Sequence, residues 1–383
     1  MRIYLDNAAT TTLSLDVFQA MQPYFFEHFG NPSSIHSYGR EAKKALEQSR
    51  TTIADLLNTS PDHIIFTSGG TEADNTAILS AIRTDGIKVA ITTPFEHHAV
   101  LNTLKKLEKN GEIELIYLKH DEKGNLSIPH LDQLLSNYKK AFVSVMHGNN
   151  EVGNLNDIYE IAEVCRKYGA VFHSDTVQTM GQYQYDTKVL KADFLVGSAH
   201  KFHGPKGVGF LYKRSAAAIQ PHINGGSQES SQRSGTENLT GIVGLAKAME
   251  LSYSNSENYR HHISNLKSRM IDQLIHYIPG VKFNGNSADA KLSLSTVLSV
   301  SLPHTNLSPL SYLDEYHICA SGGSACSSRS NAGSHVLSAL GTDFDRSTIR
   351  FSFSRYNTAE EIDFAAEKLG DLFTNEKVLT LAS

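Results

Sequence analysis

One repeated pattern in the first half of the chain constrains its fold more than any other feature. A short apolar run is followed by a turn of small residues and then by a stretch whose apolar residues recur at helical spacing. Unbroken apolar strands that alternate with helices predict a mainly parallel sheet with helices on both faces. The strands predicted in this way are HIIFT (63–67), KVAITT (88–93), AFVSVMH (141–147), VFHSD (171–175), DFLVGS (193–198) and GVGFLY (207–212).

The remainder of the chain follows a different pattern. The polar stretch SYSNSENYR (252–260) predicts a linker, and a long helix is predicted over about 259–277. Further strands are predicted at 296–302 and 347–354, with a Gly/Ser-rich stretch between them and a final helix after them. This order predicts a smaller α+β domain beside the α/β domain.

Composition argues against several classes of function. The 383 residues carry a formal net charge of −5, so there is no electrostatic reason to expect binding to nucleic acid or to an anionic membrane. No apolar run approaches the ~20 residues of a membrane span, and the polar start of the chain does not predict a signal peptide. The three cysteines are too few for a disulfide scaffold, so we expect a reducing cytoplasm.

The ends of the strands carry the candidate site residues, because ligands of such sheets bind at the carboxyl ends of the strands. The turn SGGT (68–71) offers backbone N–H groups to a phosphate at a helix N-terminus, although a plain strand–helix turn has the same pattern. Asp175 either pairs with a protonated ring nitrogen, since an unpaired buried charge is costly, or caps a helix. Lys201 is either a surface residue or a desolvated amine able to react with a carbonyl group, and Ser198 and His200 beside it suit a phosphate.

Two further strand ends carry side chains suited to chemistry. TPFEHHAVL places His97 and His98 after a strand, and one of the two imidazoles is positioned to stack on a cofactor ring and to transfer protons. MHGNNEVG supplies Asn149 and Asn150, either of which can hydrogen-bond a substrate. The sequence has no CxxC, HExxH or His-x-His pattern, so we predict no metal site.

The cysteines differ in their surroundings. Cys326 lies in SGGSACSSRS, a run of small residues in which an accessible thiol is a good candidate nucleophile. Cys165 lies in the amphipathic stretch IYEIAEVCRKYG, and Cys319 precedes the Gly/Ser-rich run, so we expect both to serve packing. Cys326 is therefore the predicted nucleophile.

Together these segments resemble the cysteine desulfurases of the NifS/IscS type, in the class V aminotransferase group of pyridoxal-phosphate (PLP) enzymes. The resemblance implies the α/β fold of type I PLP-dependent transferases, with a mainly parallel sheet flanked by helices and a smaller α+β domain. It implies a large PLP-binding domain of residues 14–256 and a small domain of residues 1–13 and 257–383 that carries the catalytic cysteine loop. The matching segments, in family order, are YLDNAATT, FGNPSSIHSYGREA, FTSGGTEADN, EHHAVL, HGNNEVG, HSDTVQTMG, SAHKFHGPKGVG, RSGTEN, SGGSACSS and IRFSFSRYNTAEEID.

The resemblance also implies a role for each candidate residue. Lys201 holds PLP covalently and moves the substrate α-proton, Asp175 pairs with the ring nitrogen, and Gln178 bonds to the ring hydroxyl. His97 stacks on the ring as an acid and base, and Cys326 takes the sulfur of L-cysteine, which leaves L-alanine. The residues implied to bind the phosphate are Gly70, Thr71, Ser198, His200 and, from a second subunit, Thr236, and those implied to bind the substrate carboxylate are Asn150 and Arg350.

The partners implied by the resemblance are L-cysteine, a second copy of the chain and a sulfur-acceptor protein such as an iron–sulfur scaffold. Ser230 stands where an arginine is usual in the family, so we expect different contacts at the site entrance or the dimer interface. The resemblance is compatible with more than one sulfur acceptor.

Three alternatives remain. A selenocysteine lyase or a PLP aminotransferase of the same group would share the cofactor residues, although an aminotransferase has no need of Cys326. A Cys–His hydrolase would leave Lys201 and Asp175 without a role. A non-catalytic sulfur-trafficking or regulatory scaffold on a degenerate PLP fold would not need an intact set of Lys201, Asp175, His97 and Cys326.

Overall fold

The structure, a computed structural model, describes residues 2–138, 140–322, 333–343 and 345–381, with side chains up to residue 374. No helix in these ranges is long and apolar enough to cross a membrane. The strands are β1 (Ile3–Tyr4), β2 (Ile64–Thr67), β3 (Val89–Thr92), β4 (Glu114–Tyr117), β5 (Ala141–Ser144), β6 (Val171–Ser174), β7 (Phe194–Ser198), β8 (Gly209–Lys213), β9 (Lys282–Phe283), β10 (Val297–Leu302), β11 (Ile318–Cys319) and β12 (Ser347–Ser352). The helices are α1 (Leu15–Met21), α2 (Pro23–Phe26), α3 (Ser37–Leu56), α4 (Gly70–Thr84), α5 (His98–Lys109), α6 (Ile128–Asn137), α7 (Ile158–Tyr168), α8 (Thr187–Leu190), α9 (Leu239–Ser254), α10 (Ser256–Tyr277), α11 (Pro309–Glu315), α12 (His335–Ala339) and α13 (Ala359–Leu381).

A seven-stranded sheet in the order β2-β8-β7-β6-β5-β3-β4 forms the centre of the first half of the chain. The pairs along β4-β3-β5-β6-β7 are parallel, as predicted, whereas β8 runs antiparallel to both β2 and β7. Only residues 199–208 connect β7 to β8, and a parallel return needs a crossover of about a dozen residues or more. The predicted mainly parallel sheet is therefore confirmed, with β8 as the exception.

Both faces of this sheet are covered by apolar side chains. Along β8, Phe210 and Tyr212 pack into a cluster with residues of α3 and α9 on one face, while Leu211 packs with residues of α4 and α5 on the other. Successive residues of a strand point to opposite faces, so an unbroken apolar strand needs helices on both sides. Because the faces are filled with apolar groups, polar groups collect at the strand ends.

The C-terminal part contains a second, smaller sheet. β10 lies between β12 and β9 and is antiparallel to both, and its apolar residues pack against α10, α11 and α13. β1, from the start of the chain, pairs in parallel with β11 and adds Ile3 to the same apolar cluster. The division into a large domain of residues 14–256 and a small domain stays a prediction.

The linker predicted at 252–260 is wrong. α9 ends at Ser254 and α10 begins at Ser256, so Asn255 alone separates the two helices. The segment is polar in composition, yet Tyr253 and the hydroxyl-bearing Ser252 are buried, and Ser252 Oγ donates to the carbonyl oxygen of Phe202 at 3.5 Å. Small hydroxyl side chains can pack inside a helix bundle when their hydrogen bonds are satisfied, which composition alone does not reveal.

Candidate active site

Polar side chains at the ends of the parallel strands line one cavity of about 250 Å³. Arg350 of β12, from the second sheet, also lines this cavity. Two predicted site residues are not in this lining, since Thr236 lines a separate surface cleft and Cys326 lies outside the described residues. The predicted residues that do line it are Gly70, Thr71, His97, Asn150, Asp175, Gln178, Ser198, His200, Lys201 and Arg350.

The N-terminus of α4 forms an anion cradle at one end of the cavity. Gly69 precedes the helix with φ +156°, and a Cβ at Gly70 would lie 2.7 Å from a methyl group of Val177. Glycine at position 70 therefore lets the free N–H groups of the helix approach the end of β7, where Ser198 adds a hydroxyl group. This combination of backbone donors and a hydroxyl suits a phosphate group.

His200 completes this end of the cavity. Its Nδ1 lies 3.1 Å from Thr10 Oγ1. Burial, with the nearby Lys201 and Lys206, lowers the pKa of His200 to about 4. The ring is therefore neutral near pH 7, and a neutral imidazole can offer an anion an N–H hydrogen bond without a positive charge.

Asp175 and His97 lie close together in the lining of the cavity. Asp175 is buried, and its Oδ1 accepts a hydrogen bond from the backbone N–H of Val177 at 2.9 Å. Burial raises the pKa of Asp175, and the nearby His97 and Lys201 act against that rise. A carboxylate in this environment is best stabilised by a cationic partner, such as a protonated ring nitrogen.

His97 is fixed in orientation by the start of α5. Its Nδ1 accepts a hydrogen bond from the backbone N–H of Ala99 at 3.2 Å, so a neutral ring carries its proton on Nε2. Burial lowers the pKa of His97, which keeps the ring neutral near pH 7. A neutral, oriented imidazole can both accept and donate a proton.

Lys201 ends the short turn that follows β7, and its amine is held by the N-terminal segment. Nζ donates to the carbonyl oxygens of Ala8, at 2.5 Å, and Ala9, at 3.0 Å. Gln178 Nε2 also donates to Ala8, at 3.0 Å. The amine is thus directed into the cavity, where it can react with an aldehyde or move a proton.

Arg350 forms the opposite wall. The side chain is buried, with Nη2 donating to Asp6 Oδ1 at 2.7 Å and Nη1 donating to the carbonyl oxygen of Asn150 at 2.9 Å. Its Nε has no hydrogen-bond partner among the described residues. A guanidinium with unused donor capacity, held beside a cavity, suits the carboxylate of a small substrate.

Sequence reasoning missed several groups that the structure places in this lining. Asp74 lies four residues after Gly70 on α4, and helical spacing puts both residues on one face of the helix. The sequence could therefore have placed Asp74 in the cavity. The carbonyl groups of Ala8 and Ala9 act through the backbone, which side-chain identity does not report. His335 reaches the cavity lining from a distant part of the chain, and the centre of its ring lies 4.5 Å from the centre of the His98 ring.

These residues fit PLP. The α4 cradle, Ser198 and His200 suit its phosphate, the amine of Lys201 suits its aldehyde, and the carboxylate of Asp175 suits its ring nitrogen. A cavity of this composition, at the strand ends of a mainly parallel sheet, defines a PLP-dependent enzyme of the type I fold.

Comparison with known proteins gives the family. Residues 3–364 match the family "Aminotransferase class-V", and the chain belongs to it. The chain is 42% identical to "Putative cysteine desulfurase IscS 1" of Bacillus subtilis (strain 168) over 377 residues, which cover 97% of this chain and 98% of that relative. The resemblance drawn from the sequence motifs is thereby confirmed.

Two solved structures share the fold. A "NIFS-like protein" superposes with a TM-score of 0.89 at 35% identity, covering 98% of this chain and 100% of that chain. The structure "SspA in complex with cysteine" has a TM-score of 0.80 at 31% identity and covers 94% of this chain and 100% of that chain. Both support the type I fold expected from the sequence.

Proposed function

We propose that this protein is a PLP-dependent cysteine desulfurase that converts L-cysteine to L-alanine and transfers the sulfur to Cys326. The observation that carries the proposal is the meeting of Lys201, Asp175 and His97 in one cavity beside an anion cradle. Relatives named as cysteine desulfurases, and a structural neighbour in complex with cysteine, support the substrate. When bound, PLP supplies the electron sink that allows the bond between the substrate Cβ and sulfur to break.

The protein side chains provide position and proton transfer. The Nζ of Lys201, directed into the cavity by Ala8 and Ala9, accepts the α-proton of the substrate. His97, neutral and oriented by its Nδ1, donates and accepts a proton at Nε2. Arg350, which donates Nη1 to the backbone carbonyl oxygen of Asn150, and the side chain of Asn150 orient the substrate carboxylate so that the reacting atoms meet.

Cys326 receives the sulfur. The bond between the substrate Cβ and sulfur breaks, a bond forms between that sulfur and Sγ of Cys326, and a proton is added at the carbon, which yields L-alanine and a persulfide. A thiolate is the form of cysteine that attacks sulfur. The persulfide then passes its sulfur by thiol exchange to an acceptor protein, which we propose to be an iron–sulfur scaffold or another sulfur carrier in the cytoplasm.

A product assay tests the proposed function. Purified holoenzyme incubated with L-cysteine and a thiol reductant is expected to release L-alanine and sulfide in equal amounts. An aminotransferase would release a keto acid instead and would need an amino acceptor, so measuring keto acid, alanine and sulfide in the same sample separates the two reactions. Release of keto acid without sulfide would contradict the proposal.

Asp175→Asn removes the charge that faces the ring nitrogen but keeps the shape of the side chain. A lost charge-assisted hydrogen bond costs about 1.5–3 kcal/mol. If this bond stabilises the transition state but not the ground state, turnover should fall about 10–100-fold. The exposed Asp157→Asn, at the start of α7, is a matched control and should leave turnover unchanged. An unchanged rate and an unchanged absorption spectrum in Asp175→Asn would place this residue away from the cofactor.

The proposal includes a homodimer in which Thr236 completes the cavity of the partner. Thr236 is exposed and does not line the cavity of its own chain. Large apolar side chains are exposed in the segment after α1, with fractions of 52% for Phe25, 77% for Phe26, 66% for Phe29 and 91% for Ile35. Apolar side chains concentrated in one exposed segment are typical of a protein–protein interface.

The loop that carries Thr236 is anchored next to this segment. Residues 32–35 and 227–230 line the same surface cleft. The carboxylate of Glu229 accepts hydrogen bonds from Arg50, at 2.7 and 2.8 Å, and from the backbone N–H of Phe66 at 2.9 Å. Glu229 and Ser230 have φ angles of +45° and +54°, a left-handed conformation that costs about 1–2 kcal/mol per residue, and the ion pair with Arg50 fixes the side chain of Glu229 in this loop. The position that departs from the family pattern, Ser230, thus lies in the loop that we place at the dimer interface.

Subunit mixing tests this arrangement. In a heterodimer of Lys201→Ala and Thr236→Ala subunits, one cavity carries both lesions and the other carries neither. Random exchange at equal amounts gives about half heterodimers, each with one intact cavity, so turnover should recover to about a quarter of the wild-type value. Recovery that stays at the level of the separate variants, or a fully active monomer in sedimentation, would contradict the shared cavity.

A further inference from the structure

A buried acid–imidazole pair lies directly behind Asp175. Asp74 on α4 is 1% exposed and His173 on β6 is 0% exposed. Asp74 Oδ1 and His173 Nε2 are 3.3 Å apart, and neither atom makes a hydrogen bond of good geometry among the described residues, with the other atom of the pair or with any other group. On its other side, His173 Nδ1 lies 2.9 Å from Ser144 Oγ. Both side chains are therefore buried, with Asp74 at the wall of the cavity, and the two unpartnered polar atoms lie next to each other.

Asp74 also lies close to the residue that faces the cofactor ring. Polar atoms of Asp74, His97 and Asp175 all lie within 4.8 Å of one another. Two carboxylates this close in a buried site do not both ionise, because each negative charge disfavours the other. One of the two aspartates must therefore be protonated.

The surroundings decide which aspartate keeps the proton. Asp175 accepts a backbone hydrogen bond and has Lys201 and His97 beside it, all of which favour its charged form. Burial, and then the acids Asp175 and Glu96, raise the pKa of Asp74 well above its usual range. Within the part of the chain that the structure describes, no cation lowers the pKa of Asp74, and burial lowers the pKa of the neighbouring His173 to about 3, which keeps that ring neutral.

We propose that Asp74 is a positioning residue: it stays a neutral carboxylic acid, donates its proton to Nε2 of His173, and leaves the negative charge on Asp175. His173 then carries its own proton on Nδ1 and donates it to Ser144 Oγ, so that each ring nitrogen of His173 has a partner and the three side chains are neutral. The inference rests on the proposed function to the extent that Asp175 faces the cofactor ring nitrogen.

Asp74→Asn tests the protonation state in the holoenzyme. Asparagine has the same shape, is neutral at every pH, and its amide can donate to His173. The pH midpoint of the absorption change of the bound cofactor should therefore stay within a few tenths of a unit of the wild-type midpoint. An ionised Asp74 about 5 Å from a titrating group, at an effective dielectric constant of about 20, would raise the pKa of that group by about two pH units. A fall of about two pH units in the midpoint of Asp74→Asn would therefore overturn the proposal. Asp175→Asn, which does remove a charge, is the control expected to move the midpoint.

The pH dependence of unfolding gives a second readout that does not depend on turnover. When folding raises the pKa of a carboxyl group, the group is protonated in the folded chain but ionised in the unfolded chain at intermediate pH. The free energy of unfolding therefore falls as the pH rises above the pKa of the group in the unfolded chain, about 4. From about pH 4 to pH 8, the free energy of unfolding measured in urea should therefore fall more for the wild-type holoenzyme than for Asp74→Asn. A difference that is flat or of the opposite sign would overturn the proposal, whereas failure of the proposed function would show instead in the products that the wild-type enzyme makes from L-cysteine.

Discussion

Replacing Lys201 by alanine is expected to lower turnover by at least about 10⁴-fold. The amine is held by the carbonyl oxygens of Ala8 and Ala9 inside the cavity, and no other lysine lines the described part of that cavity. Under the proposed function, the variant loses both the covalent attachment of the cofactor and the base that moves the substrate α-proton. We expect the visible absorption of the purified protein to be lost or displaced together with alanine production.

A neighbouring lysine provides the control. Lys206 lies in the same connection between β7 and β8, but it is exposed and does not line the cavity. Lys206→Ala should keep the absorption spectrum and turnover of the wild-type enzyme. Normal alanine production by Lys201→Ala would refute the assignment of the cofactor site.

Replacing Cys326 by serine is expected to abolish sulfur release while leaving the cofactor bound. A serine hydroxyl is almost wholly protonated at neutral pH, whereas a thiol with a pKa near 8.5 is partly ionised, so the attack on sulfur should slow by at least about 10³-fold. The cavity that fits the cofactor is lined by other residues, so the absorption spectrum should be retained. Sulfide and alanine, measured beside the spectrum, separate loss of transfer from loss of cofactor.

The other two cysteines are matched controls. Cys165 packs inside α7 at 1% exposure, and burial raises the pKa of its thiol, so it is a poor nucleophile. Cys319 is half-buried in β11, where its backbone pairs with Tyr4 of β1. Cys165→Ala and Cys319→Ser should keep turnover within about threefold of wild type, apart from packing losses of about 1 kcal/mol in stability. Full desulfurase activity in Cys326→Ser would show that another thiol accepts the sulfur.

The sequence predicted the central sheet well because its strands are buried on both faces. Such strands are apolar throughout, so strands at 64–67 and 141–144 stand out from their surroundings without knowledge of the fold. β4 was missed because it is an edge strand with Glu114 and Tyr117 exposed. The direction of β8 was not predicted, since it depends on the length of a connection rather than on apolar pattern.

The site could be anticipated to the extent that it depends on strand ends. Asp175 and Lys201 follow directly after buried strands, and the topology of a parallel sheet brings such residues together. Groups that enter by other routes were not found, such as the backbone carbonyl of Ala8 and the imidazole of His335, which follows the Gly/Ser-rich run. Whether Asp74 or Asp175 carries the charge depends on burial and neighbours, which the residue type alone does not specify.

Mass spectrometry of the sulfur-loaded enzyme tests the central claim most directly. The holoenzyme is mixed with L-cysteine without reductant, trapped with an alkylating agent, digested and analysed peptide by peptide, with Cys326→Ser treated in parallel. The proposed function predicts one additional sulfur atom that fragment ions assign to Cys326, and none on Cys165 or on Cys319, which lies in the same peptide as Cys326, together with L-alanine in an equal amount. Formation of L-alanine with the extra sulfur on Cys319, or with no sulfur on any cysteine, would contradict transfer through Cys326.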